Sequence, residues 1–445
     1  MSVLRASLFG AAMSLALSPA VASAAPDGLA LSGTFRLRGE AIAGQPRAGF
    51  NDEDQYLVSR LQARLTWTHG PWQVVGEVHD SRVAGVDKGS PLSTFDVNTL
   101  EPMQAYVRWS GPVGQGAALS VMAGRMTMEL GSRRLIANDD YRNTTNGFTG
   151  VRADLATAGG WHATGVYLLP LQRLPEDVPA LRSGRAELDR ESFDTVLWGG
   201  LLTRQRKGSP FLAEVEYLHF GERDSPGHPS RDRSLDTVNL RVARETQPAH
   251  VDWSVEGMHQ WGRAATAATP GAARLPVSAW FGRASLGYAW ATPWHPHVLA
   301  EFDYASGDGP GGRYGRFDTL YGLRRPDLGP AGLYTAIVRS NFLSPGIRIE
   351  VAPGKRFDAF VGYRAFWLAD RHDSFASTGV RDATGRSGRF AGHQIDMRLR
   401  QWLVPQKLRA EVDAVYLARG RFLETAPNGR ADDTRYIAAG ATVSF

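Results

Sequence analysis

A chain of 445 residues with 49 glycines, 25 prolines and no cysteine is long enough for a large core but uses no disulfides. Its 50 basic and 45 acidic residues leave a net charge of +5, interspersed and without a polybasic block, which argues against nucleic acid as a partner. Length alone admits two or three ordinary domains or one large repeating architecture.

Residues 1–24 stand apart from the rest. Arg5 supplies a short basic start, Ala6 to Leu17 is almost wholly apolar, and Ala22-Ser23-Ala24 has the small-x-small form of a cleavage site. A secretory signal peptide is predicted for residues 1–24, followed by one domain over 25–445. Losing Arg5 leaves 49 basic against 45 acidic residues, a mature charge of +4. Beyond the signal no run of about 18 apolar residues occurs, so no transmembrane helix is expected.

Alternation with period two then runs along the chain. In YLVSRLQARLTWTHG, Leu57, Leu61, Ala63, Leu65 and Trp67 share one face and Arg60, Gln62, Arg64 and Thr66 the other. The pattern returns in WQVVGEVHD, in FLAEVEYLHF, in FDAFVGYRAFWLA and in KLRAEVDAVYLA. In order, strands are predicted at 31–40, 56–69, 71–82, 101–110, 118–126, 147–156, 159–168, 192–204 and 210–222. Nine more follow at 233–245, 249–262, 278–291, 296–306, 344–352, 356–369, 392–404, 407–418 and 434–445. Short turns such as HGPW, AGGW, KGSP, TPWHP and VPQK alternate with long segments at 41–55, 83–100, 127–146, 169–191, 263–277, 307–343, 370–391 and 419–433.

Tight turns at one end and long loops at the other, joined by an even number of strands of about ten residues, predict an all-β fold: a transmembrane antiparallel β-barrel of about 18 strands. Hydrocarbon offers no hydrogen bonds to backbone, so a membrane-spanning sheet must close and leave no edge. Trp67, Trp72, Trp109, Trp161, Trp290, Trp294 and Trp402 sit beside short turns, and Trp261, Trp280 and Trp367 near long loops, as two interfacial belts would require. The last strand, IAAGATVSF, resembles the C-terminal signature of bacterial outer-membrane barrels. The expected location is therefore the cell outer membrane, with membrane lipid and lipopolysaccharide around the wall. The competing reading is a soluble all-β sandwich or solenoid. Segregation of turns from loops argues against the first, and the lack of a repeat of about 20–50 residues against the second.

In a membrane barrel the polar alternates point inward. Among them are Arg60, Arg64, Glu77, Arg108, Arg152, Asp154, Glu214, Glu216, Arg241, Glu256, Glu301, Asp303, Arg348, Glu350, Arg364, Asp396, Arg398, Arg400, Arg409, Glu411 and Asp413. Each can be a structural ion-pair member or a pore lining. Between the fifth and sixth predicted strands lies GRMTMELGSRRLIANDDYRNTTNGF, residues 124–148, with four arginines, three acids and three asparagines. Arginine presents a planar fork to carboxylates, and asparagine both donates to and accepts from sugar hydroxyls. Folded inward, the segment suits an anionic, hydroxyl-rich solute.

GRMTMELGSRRLIANDDYRNTTNGFTGVR resembles the G-R-x-x-x-x-L-G-x-R-R-L, F/Y-R-N-T and G-V-R segments of alginate-export-family outer-membrane proteins. FDYASGDGPGGRYGRFDTLYG, FVGYRAFWLA with TGVRD, and GRFLETAPN resemble later segments, so the likeness runs from about residue 33 to the end. It implies an eighteen-stranded barrel exporting an anionic polysaccharide through an arginine-rich constriction. A periplasmic scaffold or lipoprotein would feed it. Position by position, the resemblance points to Arg125, Arg133, Arg134, Arg142 and Arg152 as pore or substrate-binding residues. The competing function is a general or small-anion porin with the same mixed lumen.

No catalytic residue, metal or cofactor is assigned. GDGPGG at 307–312 satisfies G-x-G-x-x-G by letter but contains Pro310 and has no helix to receive a pyrophosphate. Asp308 with Asp303 or Asp318 has the oxygens a Ca²⁺ ion needs, but a plain acidic turn is the preferred reading. Neither G-x-S-x-G nor H-E-x-x-H occurs, so an enzymatic barrel would need a nucleophile and base brought together only in space.

Overall fold

The computed structural model describes residues 27–225, 227–325 and 327–445, and the predicted signal peptide lies outside the described residues. Eighteen strands follow one another in the predicted places. They are β1 Gly28–Ala43, β2 Asp54–His69, β3 Trp72–Ala84, β4 Asn98–Pro112, β5 Ala117–Met126, β6 Phe148–Thr157, β7 Trp161–Pro170, β8 Thr195–Arg204 and β9 Phe211–Glu222. The second half continues with β10 Ser234–Arg244, β11 His250–Ala265, β12 Arg274–Ala289, β13 His297–Ala305, β14 Phe342–Gly354, β15 Phe357–Trp367, β16 Phe390–Val404, β17 Leu408–Arg419 and β18 Thr434–Ser444.

Each strand pairs antiparallel with its sequence neighbours, and β1 pairs with β18 from Thr34 opposite Ser444 to Ala43 opposite Arg435, so the sheet is a closed barrel. At the seam Gly33 and Phe445 exchange backbone hydrogen bonds of 2.9 and 3.1 Å, and a Cβ on Gly33 would meet the Phe445 ring. The alternation works as a barrel demands. Leu57, Leu61, Leu65 and Trp67 of β2 are exposed on the outside, while Tyr56, Val58 and Arg60 are buried within. Trp67, Trp72, Trp161, Trp290 and Trp294 ring the short-turn end, and Trp261 and Trp280 are exposed near the other rim. Trp402 departs from the predicted belt: it pairs with Arg409 on the lumen face, with that guanidinium 5.7 Å from its ring.

The apolar core lies inside the barrel, toward the long-loop end. Inward residues such as Met126, Phe148, Leu168, Leu197, Leu218, Phe220, Phe281 and Phe342 pack on Leu135, Ile136, Phe317, Leu333, Tyr334, Ile337 and Phe375 from the loops. Segments 127–147 and 306–341 are laced together within the lumen by Ala137 N–H to Tyr321 C=O (3.1 Å), Tyr321 N–H to Leu135 C=O (2.9 Å) and Leu323 N–H to Arg133 C=O (3.1 Å). Segment 368–389 joins them through Ser377 N–H to Ala336 C=O at 3.1 Å. Two short helices, α1 Val178–Ser183 and α2 Arg421–Thr425, lie in loops. Toward the short turns, lumen-facing Arg108, Arg152, Asp154, Arg241, Arg400, Arg409 and Glu411 are only partly buried, so water reaches that half.

Candidate functional site: the loop-lined lumen

The loop between β5 and β6 enters the lumen because it has apolar residues to bury and polar ones to satisfy there. Leu130, Leu135, Ile136 and Ala137 enter the core, and Asn143 and Asn146 donate to backbone carbonyls of the wall and of neighbouring loops. Asn143 Nδ2 donates to the carbonyls of Ser59 (3.1 Å) and Asp96 (2.8 Å), and Asn146 Nδ2 to those of Ala137 (2.8 Å) and Tyr321 (3.0 Å).

Three of the five arginines singled out in the sequence lie on this loop, each with different partners. Arg133 sits at positive φ (64°) within 3.6 Å of Glu129. Arg134 is a cross-link, with Glu256 of β11 at 2.5 Å and Asp327 at 2.9 Å. Arg142 is buried and donates to Asn146 Oδ1 at 2.6 Å, with its guanidinium 4.5 Å from the Phe95 ring centroid. Burial pulls Arg142 below the ordinary arginine range. Arg173 and Arg324, from two other loops, lie 5.1 and 5.6 Å from the same ring. Burial first and then the charge of Arg142 lower Arg173 to about 9, and burial lowers Arg324 to about 10.

Arg152 and Arg125 stand elsewhere. Arg152 faces the lumen from β6, nearer the short turns, and grips Asp154 through two hydrogen bonds of 2.8 and 2.9 Å. Arg125 pairs with Ala105 and shares the register of outward-facing Val107 and Val151, so it points away from the lumen. Its guanidinium binds buried Glu101, which pairs with His79 of β3, and, at 2.5 Å, Glu191 of the β7–β8 loop. The signal was in the sequence: Leu119, Val121 and Ala123 alternate with Arg125 on one apolar face.

Arginines are densest on one arc of the lumen wall, where acids pair with most of them: Glu350 with Arg348 at 2.7 Å, Asp358 with Arg398 and Arg400 at 3.2 and 3.0 Å, Glu411 with Arg409 at 3.6 Å, Glu40 with Arg38 at 2.6 Å and Glu77 with Arg64 at 3.4 Å. Arg348 of β14, Arg398 and Arg400 of β16, Arg409 of β17, Arg36 and Arg38 of β1, and Arg60 and Arg64 of β2 occupy one side. Glu214 and Glu216 of β9, Asp252 and Glu256 of β11, and Glu301 and Asp303 of β13 occupy the other. The acidic side is largely neutralised. Arg283 and Arg364 bind Asp303 at 2.7 and 2.8 Å, and Arg241 binds Glu214 at 2.8 Å. Asp318 lies 2.5 Å from Arg233, so neither suggested partner of Asp308 is turned toward a cation. Among the described residues no group of three His, Cys, Asp or Glu side chains is arranged to hold a metal. Arg36 and Arg38 were missed although Phe35 and Leu37 mark the outer face between them.

A family model described as alginate export matches residues 28–436. Among curated proteins no sequence match accompanies it. Solved outer-membrane structures from Pseudomonas aeruginosa share the fold. OpdL has TM-score 0.58 and 12% identity, covering 94% of this chain and 98% of its own. OccK2 (OpdF) in complex with glucuronate has TM-score 0.56 and 12% identity, with coverage of 94% and 96%. OpdK has TM-score 0.55 and 11% identity, with coverage of 94% and 99%.

Proposed function

The chain belongs to the alginate export family and is a channel of the cell outer membrane; from that premise we propose that it passes an anionic, alginate-like polysaccharide outward through an arginine-rich constriction. The observation that carries this reading is the inward fold of segment 127–147, which carries Arg133, Arg134 and Arg142 into the barrel and sets the Arg142 carbonyl on Arg36 and Arg60, while Arg134 reaches the opposite side at Glu256. Low-dielectric walls and confinement strengthen the field of such charges, and only an anion gains from it. Arg152 extends the positive lining toward the short turns, whereas Arg125 serves to anchor a loop. Binding of glucuronate, a single uronate, by a barrel of the same fold supports an anionic solute. Lipopolysaccharide contacts the outer belt, and a periplasmic scaffold or lipoprotein delivers the polymer.

One observation favours the second reading, a small-anion porin: three interlaced loops narrow the lumen, as suits a solute smaller than a polymer. Deleting the gene separates the two. Export predicts acidic polysaccharide trapped in the periplasm with small-solute uptake nearly unchanged. Normal secretion with slowed uptake of small anions overturns it in favour of the porin.

A further inference from the structure

The short turns are unlike one another in charge. Those joining β2 to β3, β4 to β5 and β6 to β7 consist of Gly70-Pro71, Val113-Gly114-Gln115-Gly116 and Ala158-Gly159-Gly160, with no ionic side chain. On the other arc, the turns between β8 and β9, β14 and β15, and β16 and β17 carry Arg206, Lys207, Lys355, Arg356 and Lys407, so three of the chain's four lysines are in these turns. All five side chains are exposed, and Glu245 is the one acid in the turns of that arc.

Lys355, Arg356 and Lys407 form the tightest group. Lys355-Arg356 is a two-residue hairpin turn closed by Gly354 paired with Phe357. The Arg356 carbonyl accepts from Trp402 N–H and the Lys407 carbonyl from Ser444 N–H, both at 2.7 Å, so each turn is pinned to the next strand. The two turns lie two strand spacings apart, about 10 Å. The acids nearest in sequence bind elsewhere: Asp358 holds Arg398 and Arg400 on the lumen face, and Glu411 holds Arg409. Among the described residues none of the three turn cations is in an ion pair with them. Just inside the rim the outer wall is apolar. Val361 and Leu403 are exposed there, and Phe357, in the outward register of Val361, meets exposed Trp294 edge-on with 6.1 Å between ring centroids.

We infer that this arc binds an anionic phospholipid of the inner leaflet, with its phosphate among Lys355, Arg356 and Lys407 and its acyl chains along Phe357, Val361 and Leu403. Cations at the rim and an apolar wall behind them stand in the order in which a phospholipid presents headgroup and chain. An acidic protein accounts for the cations alone. Lysine and arginine suit the position, since their stems cover apolar surface while their charged ends stay at the aqueous edge. Each such cation near an anionic membrane surface strengthens attraction about fivefold. The glycine and proline turns of the opposite arc offer no such attraction, so the barrel sorts lipid around its own circumference by charge. This inference is independent of what passes through the lumen.

The absence of cysteine makes the test local. Val361→Cys on the basic arc, or Val107→Cys on the neutral one, places a fluorophore at an exposed, outward position of the full-length barrel in phosphatidylcholine vesicles. Phosphatidylglycerol or phosphatidylcholine carrying a quenching nitroxide on its acyl chain is then added. At about 0.01 M salt the probe at 361 is expected to be half-quenched by the glycerol lipid at about fivefold lower mole fraction than by the choline lipid, and the probe at 107 by the two within about twofold of each other. Lys355→Gln, Arg356→Gln and Lys407→Gln together should abolish the preference at 361, as should about 1 M salt, whereas Lys355→Arg with Lys407→Arg should keep it. Equal quenching by both lipids at 361 overturns the site and leaves the arc to an acidic protein. Equal preference at 361 and 107, or a preference that survives the triple glutamine variant, overturns it as well.

Discussion

Arg125 and Arg152 lie on neighbouring strands and come from one sequence motif, but the wall separates them. Charge reversal distinguishes their roles. Arg152→Glu places a carboxylate beside Asp154 in the lumen, and is expected to reduce the anion-to-cation permeability ratio about twofold or more, read as reversal potential in a KCl gradient. Arg125→Glu should leave that ratio unchanged and instead release Glu191 of the 171–194 loop from its anchor on β5, increasing the loop's cleavage by added protease. If Arg125→Glu moved the reversal potential as far as Arg152→Glu, its outward register would be incorrect. Side-chain direction was legible wherever apolar residues marked the opposite face, as Phe35 and Leu37 do for Arg36. The partners were not. Nothing local in Asp140 or Phe95 tells of Arg60 or Arg324, because those contacts join segments far apart in the chain.

At the level of elements, all eighteen strands follow from alternation, because lipid on one side and water on the other impose opposite chemistry on successive residues. Beyond the lipid that demand lapses. The β11–β12 hairpin continues to Ala264 opposite Leu275 and Ala265 opposite Arg274, through a stretch that reads as loop. Helix α1 was also invisible at six residues, although its ends are well made: Asp177 Oδ1 accepts from Ala180 N–H at 2.9 Å, and Gly184 takes the left-handed conformation at φ 63°. The same loop carries a pH dependence. Asp189 accepts from Asn98 at 2.9 Å and from Leu174 N–H at 3.1 Å, and burial followed by Glu101 pushes its carboxyl up to about 7, with Arg173 opposing. A carboxyl raised in the docked state binds its proton more tightly there. Its contribution is therefore complete below the free value of about 3.9 and is lost as pH rises through about 7. Amide exchange in 172–190, corrected for intrinsic rate, should lose protection between about pH 5 and pH 8, and Asp189→Asn should remove the dependence. Equal protection at both pH values in the wild type would refute it.

For the whole molecule, closure is the chief source of integrity, since a barrel has no edge to fray. Gly33 is a sensitive point, because any side chain there enters the Phe445 ring and the carbonyl of Gln62. Gly33→Val should lower the temperature at which the detergent-solubilised barrel unfolds by several degrees, read as loss of the fast-migrating band on unheated gels. A remote exposed glycine such as Gly271, changed to alanine, should do much less. An unchanged transition for Gly33→Val would mean the seam bears little of the load. On intact cells, protease is expected to cut within 370–391 and to spare the turn at Gly70-Pro71, and the reverse pattern would invert the barrel in its membrane.

The seam also sets an order of events. Strand β1 is made first and its second partner, β18, last, about 400 residues later. Until that final strand arrives, one flank of β1 has nowhere to place its amides and carbonyls, and every hairpin already formed presents a sticky border to its neighbours. The polypeptide must therefore be kept apart from its own copies, unfolded, for as long as it takes to be synthesised and carried across the aqueous gap. Its survival before insertion thus depends on an escort, and the time without one sets how much of it is lost.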